Sequence, residues 1–410
     1  MSKVLLQNGY LYTREGIEKA DVLLSDGRLF LHFSKNNIGD VPIFDMSGKL
    51  IVPGFVDVHV HLREPGFLYK ETIKTGTEAA AHGGYTAICA MPNLNPPPSS
   101  PENLAVELDA IKKDACIKVY PYGTITREQK GRGSLSDMVG LAPYVIAFSD
   151  DGKGMQDEGL MLEAMIQAEA LGKAIVAHCE DEAELRPGGC IHDGTFAEAH
   201  GYTGINSASE WKQVKRDIRL AEESGAQYPI CHISTKESVQ LLREGKKRGV
   251  KVTGETGPHY LMFTDQDLEE DGKWKMNPPI REEADREALI RGIQDGTIDC
   301  LITDHAPHSA EEKSKGLAGS SFGIVGLETA FASMFHNMVL RNPLDKDPLR
   351  VDLRKAKCTA AEALSEKGKA EYGAISLYRL LELMCTRPRE IFPIRGPKYI
   401  EDGVEADITV

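Results

Sequence analysis

The sequence predicts an α/β protein: a (β/α)8 TIM barrel with a small β domain formed from the N- and C-terminal segments. Three observations predict it. Eight short apolar segments alternate with stretches of helical spacing. The residues able to bind metal or move protons fall at the C-terminal ends of those segments. Both ends of the chain carry strand and turn signals of a different kind.

The N-terminal fifty residues read as short strands broken by turns. Val4-Leu5-Leu6 runs into Asn8-Gly9, and Asp21–Leu24 runs into Asp26-Gly27. Both dipeptides tolerate positive φ, so both are expected to be hairpin turns. Lys49–Val52 then meets Pro53-Gly54, and the pattern changes. The eight barrel strands are expected at Phe55–His61, Thr86–Met91, Ile117–Tyr122, Tyr144–Phe148, Ala174–His178, Pro229–Ile233, Val250–Gly254 and Asp299–Thr303. Between them Leu160–Leu171 and Glu237–Lys247 show apolar residues at helical spacing. A doubly wound sheet would carry a glycine-rich phosphate turn after its first strand, and none is present. Asn342–Ala370 is charged and poorly periodic, and is expected to be a surface insertion before a helix at Leu377–Cys385. Tyr399–Val410 regains strand character and is expected to pair with the N-terminal strands. The domains are therefore expected at 1–53 plus 394–410 (small β domain) and 54–393 (barrel, with the insertion near 342–370).

At 410 residues, 41% hydrophobic and 27% charged, the chain has the balance of a soluble globular protein. Its formal charge of −14 disfavours nucleic acid and anionic membrane as partners. The eight cysteines show no CxxC pair, and are expected to be reduced thiols in a cytoplasmic protein. Neither a signal peptide nor a membrane-spanning apolar run is legible. A small-molecule substrate remains the natural partner, and a homo-oligomer is allowed.

The first strand ends Asp57-Val58-His59-Val60-His61. Residues two apart in a strand share a face, so the two imidazoles can chelate one divalent ion. Strand five supplies His178 and strand six His232. Their neighbours Cys179 and Cys231 are expected to alternate away and pack as small hydrophobes. Strand eight ends Thr303-Asp304-His305-Ala306-Pro307-His308, where a carboxylate can bind metal and shuttle a proton. Strand four ends Ser149-Asp150-Asp151-Gly152-Lys153, and Asp151 is a candidate bridge between two ions. Four histidines and one or two aspartates from separate strands suit a hydrolytic zinc pair with a bridging water.

These stretches resemble, over nearly the whole chain, the amidohydrolase superfamily and within it the dihydroorotases of the bacterial class I type. The resemblance is carried by DVHVHLREPG (57–66), Met91-Pro92-Asn93, FSDDG (148–152), HCED (178–181), HIST (232–235), GETGPHYL (254–261), KMNPPIR (275–281), TDHAPH (303–308) and FGIVGLE (322–328). It implies reversible hydrolysis of the cyclic amide of dihydroorotate to N-carbamoyl-aspartate by a metal-activated hydroxide, in pyrimidine synthesis. It implies one or two zinc ions, two being favoured. His59 and His61 would hold one, His178 and His232 the other, with Asp151 bridging. Asp304 would bind the first ion and serve as the catalytic acid/base. Arg63 would pair with the substrate carboxylate, with His61 and Asn93 close by. Asn277, His308 and the Phe322-Gly323 backbone would complete the substrate contacts. Many relatives bridge their ions with a carboxylated lysine on strand four; here Asp151 stands there, with Lys153 two residues on.

The remaining polar residues have plainer readings. His82 is expected at a helix end, and His192 and His200 in a solvated loop. His259 is expected to order the loop after strand seven, and Glu180 and Asp181 to orient neighbouring side chains. Two competing functions are a hydantoinase or allantoinase, whose substrates need no carboxylate partner such as Arg63, and a non-catalytic scaffold, which would have lost metal ligands. Every expected ligand position is filled.

Overall fold

The computed structural model describes residues 3–34, 39–344 and 373–410. It divides into two compact units: Met1–Val56 with His82–Ala87 and Phe331–Val410, and Asp57–Ala81 with Ile88–Ala330. Of the expected insertion at Asn342–Ala370, residues 345–370 lie outside the described residues.

The first unit is built on a sheet drawn from both chain ends. Val4–Thr13 pairs antiparallel with Gly16–Ser25, which pairs antiparallel with Arg28–Phe30. Leu50–Pro53 lies parallel to the first strand, and Ile408–Thr409 pairs antiparallel with it, Ile408 opposite Pro53. The expected pairing of the C-terminal tail with the N-terminal strands is therefore present. Its core is Leu6, Leu11, Val22, Leu29, Met46, Ile51 and Ile400, the inward faces of these strands and the tail. Asp26-Gly27 makes the expected tight turn, both residues at positive φ. Asn8-Gly9 does not. The first strand runs straight through it with a register shift between Leu6 and Gly9, Asn8 at φ 64°. A residue at positive φ serves a β-bulge as well as a turn. What selects the bulge is tertiary: Asp21 and Asp45 hold the Asn8 amides, and a Cβ at Gly9 would meet Ile51 Cδ1 at 2.7 Å.

From Phe55 onward strands and helices alternate along the chain. Phe55–Val60, Tyr85–Ala90 and Lys118–Pro121 are neighbours in one sheet. Gly123 then bridges in parallel to Phe148, Phe148 to Ile175, and Ala177 to Ile230. Tyr228–Ile230, Val252–Thr256 and Cys300–Leu301 continue in parallel, and His305 bridges in parallel to Val60. The pairing thus passes through eight segments and returns to the first. The fourth and fifth pair through isolated bridges, two each, rather than forming the strands expected at 144–148 and 174–178. Strand seven lies two residues later than expected. Gly249, at φ 83°, ends the helix Lys236–Lys247, and the Val250 amide donates back to Gly245 O. The helix C-cap thus consumes the first residues of the apolar run.

Local signals account for the helices that carry the loops. Ser100 caps Pro101–Asp114, Asp157 caps Glu158–Ala170 and Thr235 caps Lys236–Lys247, each accepting a bond from an amide of the first turn. Among the described residues no helix is long and apolar enough to cross a membrane.

One helix carries a local conflict. Glu107 sits on the inward face of Pro101–Asp114 with only 2% of its surface exposed, and its Oε2 has no hydrogen-bond partner among the described residues. Burial pushes its carboxyl well above the usual range. Replacing it with an apolar side chain removes a desolvation cost, so Glu107→Met is expected to stabilise the fold by about 1 kcal/mol or more at neutral pH. The unfolded chain ionises at the ordinary value while the folded chain must hold its proton, so the parent loses stability as pH rises through that interval. Thermal unfolding should therefore show a larger gain for the variant at pH 8 than at pH 5. A gain that shrinks with pH would refute the buried, protonated state.

Candidate metal centre

The metal-ligating side chains anticipated from the sequence meet in one buried cluster of the second unit. His59 and His61 stand on alternate positions where Phe55–Val60 ends. Asp57, two residues earlier, fixes this end: its Oδ1 accepts from the His59 amide (3.0 Å), and its Oδ2 from the Thr303 amide (2.9 Å) and hydroxyl (2.6 Å). That clamp ties the first segment to the last, just before Asp304. Burial raises the Asp57 carboxyl and these bonds oppose it, leaving it at about 6.

Asp304 lies at φ 49° and His232 at φ 27°. Both leave the strand direction as the chain passes the sheet edge, which turns their side chains toward the cluster. His61 Nε2 is 3.1 Å from Asp304 Oδ1 and 3.4 Å from Asp151 Oδ2, and His59 Nε2 is 3.4 Å from both Asp151 Oδ1 and Asp304 Oδ1. His232 Nε2 lies 3.3 Å from Asp151 Oδ1 and 3.0 Å from His178 Nδ1, itself 3.7 Å from the same oxygen. Asp151 therefore faces all four imidazoles. Burial disfavours its charge, but the imidazoles outweigh that and hold it well below the usual carboxylate range. Asp304 is likewise penalised by burial, yet the His61 bond and the neighbouring rings bring it to about 2.

These residues fit a divalent metal. His59 Nδ1 and Nε2 and His61 Nδ1 are buried without a hydrogen-bond partner among the described residues. Ligand atoms of His59, His61 and Asp304, and of His59, Asp151, Cys231 and His232, fall into two groups, each with its atoms within 4.8 Å of one another. A buried imidazole and carboxylate donor set of this kind is what zinc and similar ions take. Lys153 is exposed, in the turn closed by its own amide on Asp150 O. The loop after strand three buttresses Asp150, whose Oδ1 accepts the amides of Ile125 and Thr126.

The expected substrate contacts line the same neighbourhood. Arg63 is buried at φ 62°, with Nε on Pro307 O (3.2 Å). His308 Nε2 donates to Phe322 O (2.7 Å), and its Nδ1 accepts from Lys70 Nζ (3.1 Å). Arg63 Nη2, 3.4 Å from the donating nitrogen, gains no hydrogen bond from it. Burial, Arg63 and Lys70 together hold His308 down at about 4, as a neutral ring. Asn93 donates to the Asp151 carbonyl while its Oδ1 is buried and has no partner among the described residues. Asn277 Nδ2 donates to Glu180 Oε1 (2.8 Å) and lies 3.5 Å from His178 Nε2. Gly323 packs where a Cβ would strike Ala306 O at 2.3 Å, so only glycine brings this backbone so close to His308.

Several plainer readings need correction. Cys231 does not turn away: its Sγ belongs to the group with His59, Asp151 and His232. Strand six stops at Ile230 and His232 leaves extended geometry, so simple alternation fails at that end. Cys179 does pack away, against the Tyr228 hydroxyl (3.2 Å). His192 is not solvated but buried, with Nδ1 accepting from Arg281 Nη1 (3.2 Å); burial and that cation push it down to about 3. His200 is exposed and stacks on Phe196. Asp181 caps the turn Glu182–Glu184 and touches no ligand, whereas Glu180 Oε2 lies 3.8 Å from His178 Nε2. His82 ends its helix. His259 is buried, its ring filling the space beside Gly257.

Glu255 went unrecognised. It is buried, neither carboxylate oxygen has a hydrogen-bond partner among the described residues, and Oε2 lies 3.7 Å from His59 Nδ1. The signal was an acidic residue at the end of an apolar strand. The two-residue displacement of strand seven hid it.

Comparison with known proteins agrees with this geometry. Residues 48–238 match the model of the Dihydro-orotase-like family. A dihydroorotase of Fusobacterium nucleatum is 50% identical over 337 residues, 82% of this chain and 79% of that protein. One of Listeria welshimeri is 44% identical over 409 residues, 99% and 88% of the respective lengths. Among solved structures, the L-hydantoinase (dihydropyrimidinase) of Arthrobacter aurescens superposes with a TM-score of 0.78 at 24% identity, covering 100% of this chain and 86% of that one. The dihydropyrimidinase of Brevibacillus agri gives 0.77 at 21%, covering 99% and 85%. The latter two share the fold. The extent and identity of the first two decide the family: the chain belongs to the dihydroorotases.

Proposed function

We propose that this chain is a cytoplasmic, zinc-dependent dihydroorotase that opens the cyclic amide of dihydroorotate to N-carbamoyl-aspartate and closes it again. The eight-segment circuit is read as a (β/α)8 barrel, with the metal centre at the C-terminal ends of its strands. The observation that carries the reading is the convergence of four histidines, Asp151 and Asp304, with Arg63 buried nearby. A hydantoin or neutral dihydropyrimidine has no carboxylate to occupy that guanidinium.

In this reading His59, His61 and Asp304 would hold one ion and His178 and His232 the other, with Asp151 available to both. Divalent ions, when bound there, would supply Lewis acidity toward a water and the ring carbonyl. Arg63 orients dihydroorotate through its carboxylate. Asp304, ionised at neutral pH, takes a proton from the attacking water and delivers it to the leaving ring nitrogen. In the closing direction it runs the same transfer in reverse. Burial of the cluster keeps bulk water from competing for these bonds.

The test is dihydroorotate hydrolysis by zinc-loaded protein, prepared with and without bicarbonate. Equal activity in both is expected, because Asp151 rather than a carboxylated Lys153 joins the two ion positions. Lys153→Ala should keep its zinc and its turnover, and Asp151→Ala should lose at least one ion. No turnover of dihydroorotate would overturn the function, while bicarbonate-dependent activation would overturn only the bridging assignment.

A further inference from the structure

The Phe322-Gly323 backbone expected to read the substrate ring is not a free loop. Phe322 O accepts from His308, and the Gly323 amide donates to Lys275 O (3.0 Å). Beneath it lies an ammonium group with no carboxylate partner among the described residues. Lys313 Nζ donates to Lys275 O (2.9 Å), Ser321 O (3.0 Å) and Gly323 O (2.9 Å). Three N–H bonds meet three backbone carbonyls, which is the full donor capacity of an ammonium.

The two segments so joined are chemically distinct parts of the site. One is Lys275-Met276-Asn277, whose asparagine contacts Glu180 and His178. The other is the 321–323 stretch. Lys275 reinforces the joint from the opposite side, with Nζ on Ala318 O (2.8 Å) and lying 4.5 Å from the centre of the Phe322 ring. We propose that Lys313 is a positioning residue for substrate binding: its ammonium sets the Phe322-Gly323 backbone against the segment bearing Asn277. This rests on the dihydroorotase reading and adds to it a residue that touches neither metal ligand nor substrate.

The charged groups facing Lys313 are the Lys275 ammonium and the Asp271 carboxylate; on its own turn Glu312 is engaged by Lys70 (3.0 Å) and Glu311 by Lys315 (3.9 Å). Burial and Lys275 push the Lys313 ammonium down to about 8. On losing its proton the amine keeps only two donors for three carbonyls, so the joint weakens within an accessible pH range.

The experiment is steady-state kinetics with zinc-replete parent, Lys313→Met and Lys313→Arg between about pH 6.5 and 9.5. Lys313→Met is expected to raise KM for dihydroorotate about 10-fold with kcat changed less than about threefold and zinc content unaltered. The arginine variant should recover KM only in part, because a planar fork cannot meet three convergent carbonyls. Parent KM should rise above pH 8 while that of the methionine variant stays flat. An unchanged KM in Lys313→Met, or a joint loss of kcat and zinc, would overturn the proposal. Should that variant not fold, a parent KM flat to pH 9.5 overturns it and a rise above pH 8 supports it. A parent inactive on dihydroorotate would instead defeat the function on which the proposal rests.

Discussion

Asp304→Asn is expected to keep its zinc and its fold while losing turnover by roughly 100- to 10,000-fold. The amide has nearly the size of the carboxylate and retains one oxygen toward the cluster, so the arrangement with His59 and His61 should persist. What it lacks is proton capacity. In the parent, burial opposes the charge, but the His61 hydrogen bond and the surrounding rings hold the carboxyl at about 2 and leave it ionised across the working range. Such a group can accept the proton that water must give up and present it to the leaving nitrogen; an amide can do neither. The measurement is kcat on metal-replete protein with zinc content determined on the same sample. Near-normal kcat at full zinc would remove Asp304 from the proton transfer. Loss of zinc together with kcat would mean that its contribution is ligation.

Arg63→Met is expected to lower kcat/KM for dihydroorotate by about 2–4 kcal/mol, some 30- to 1,000-fold, and to leave a neutral dihydropyrimidine far less affected. The guanidinium is buried, and its Nε is committed to Pro307 O. Its Nη2 faces a His308 nitrogen that is already donating to Phe322 O, so on the proposed reading a substrate carboxylate would meet an undercommitted cation. The methionine preserves most of the side chain's apolar volume and removes only the charge and the donors. Equal losses for both substrates would assign Arg63 to the packing of the loop rather than to carboxylate recognition.

Much of this molecule was legible before any coordinates. Alternation of period two placed His59 and His61 on one face, and apolar residues at helical spacing placed the helices Glu158–Ala170 and Lys236–Lys247 to within two residues. The strand character of the tail anticipated Ile408–Thr409 against Leu50–Pro53. These are short-range properties, written in neighbouring residues and in the backbone freedom of a few glycines, asparagines and aspartates. The resemblance supplied roles that periodicity could not, Arg63 and Asn277 among them.

What tertiary structure alone decided involves partners remote in sequence. His61 meets Asp304 across 243 positions, and Thr303 meets Asp57 across 246. No local pattern states that distance. Asn8-Gly9 permits a turn or a bulge equally, and Asp21, Asp45 and Ile51 choose the bulge. Strand seven begins where the preceding helix releases the chain, which moved its register by two residues and brought Glu255 to His59. The carbonyls around Lys313 are backbone groups, which every residue possesses and no sequence distinguishes. Residue types thus determined which chemistry this protein could hold. Long-range closure determined which of those groups face one another, because burial and hydrogen bonding reward contacts that only the folded chain brings within reach.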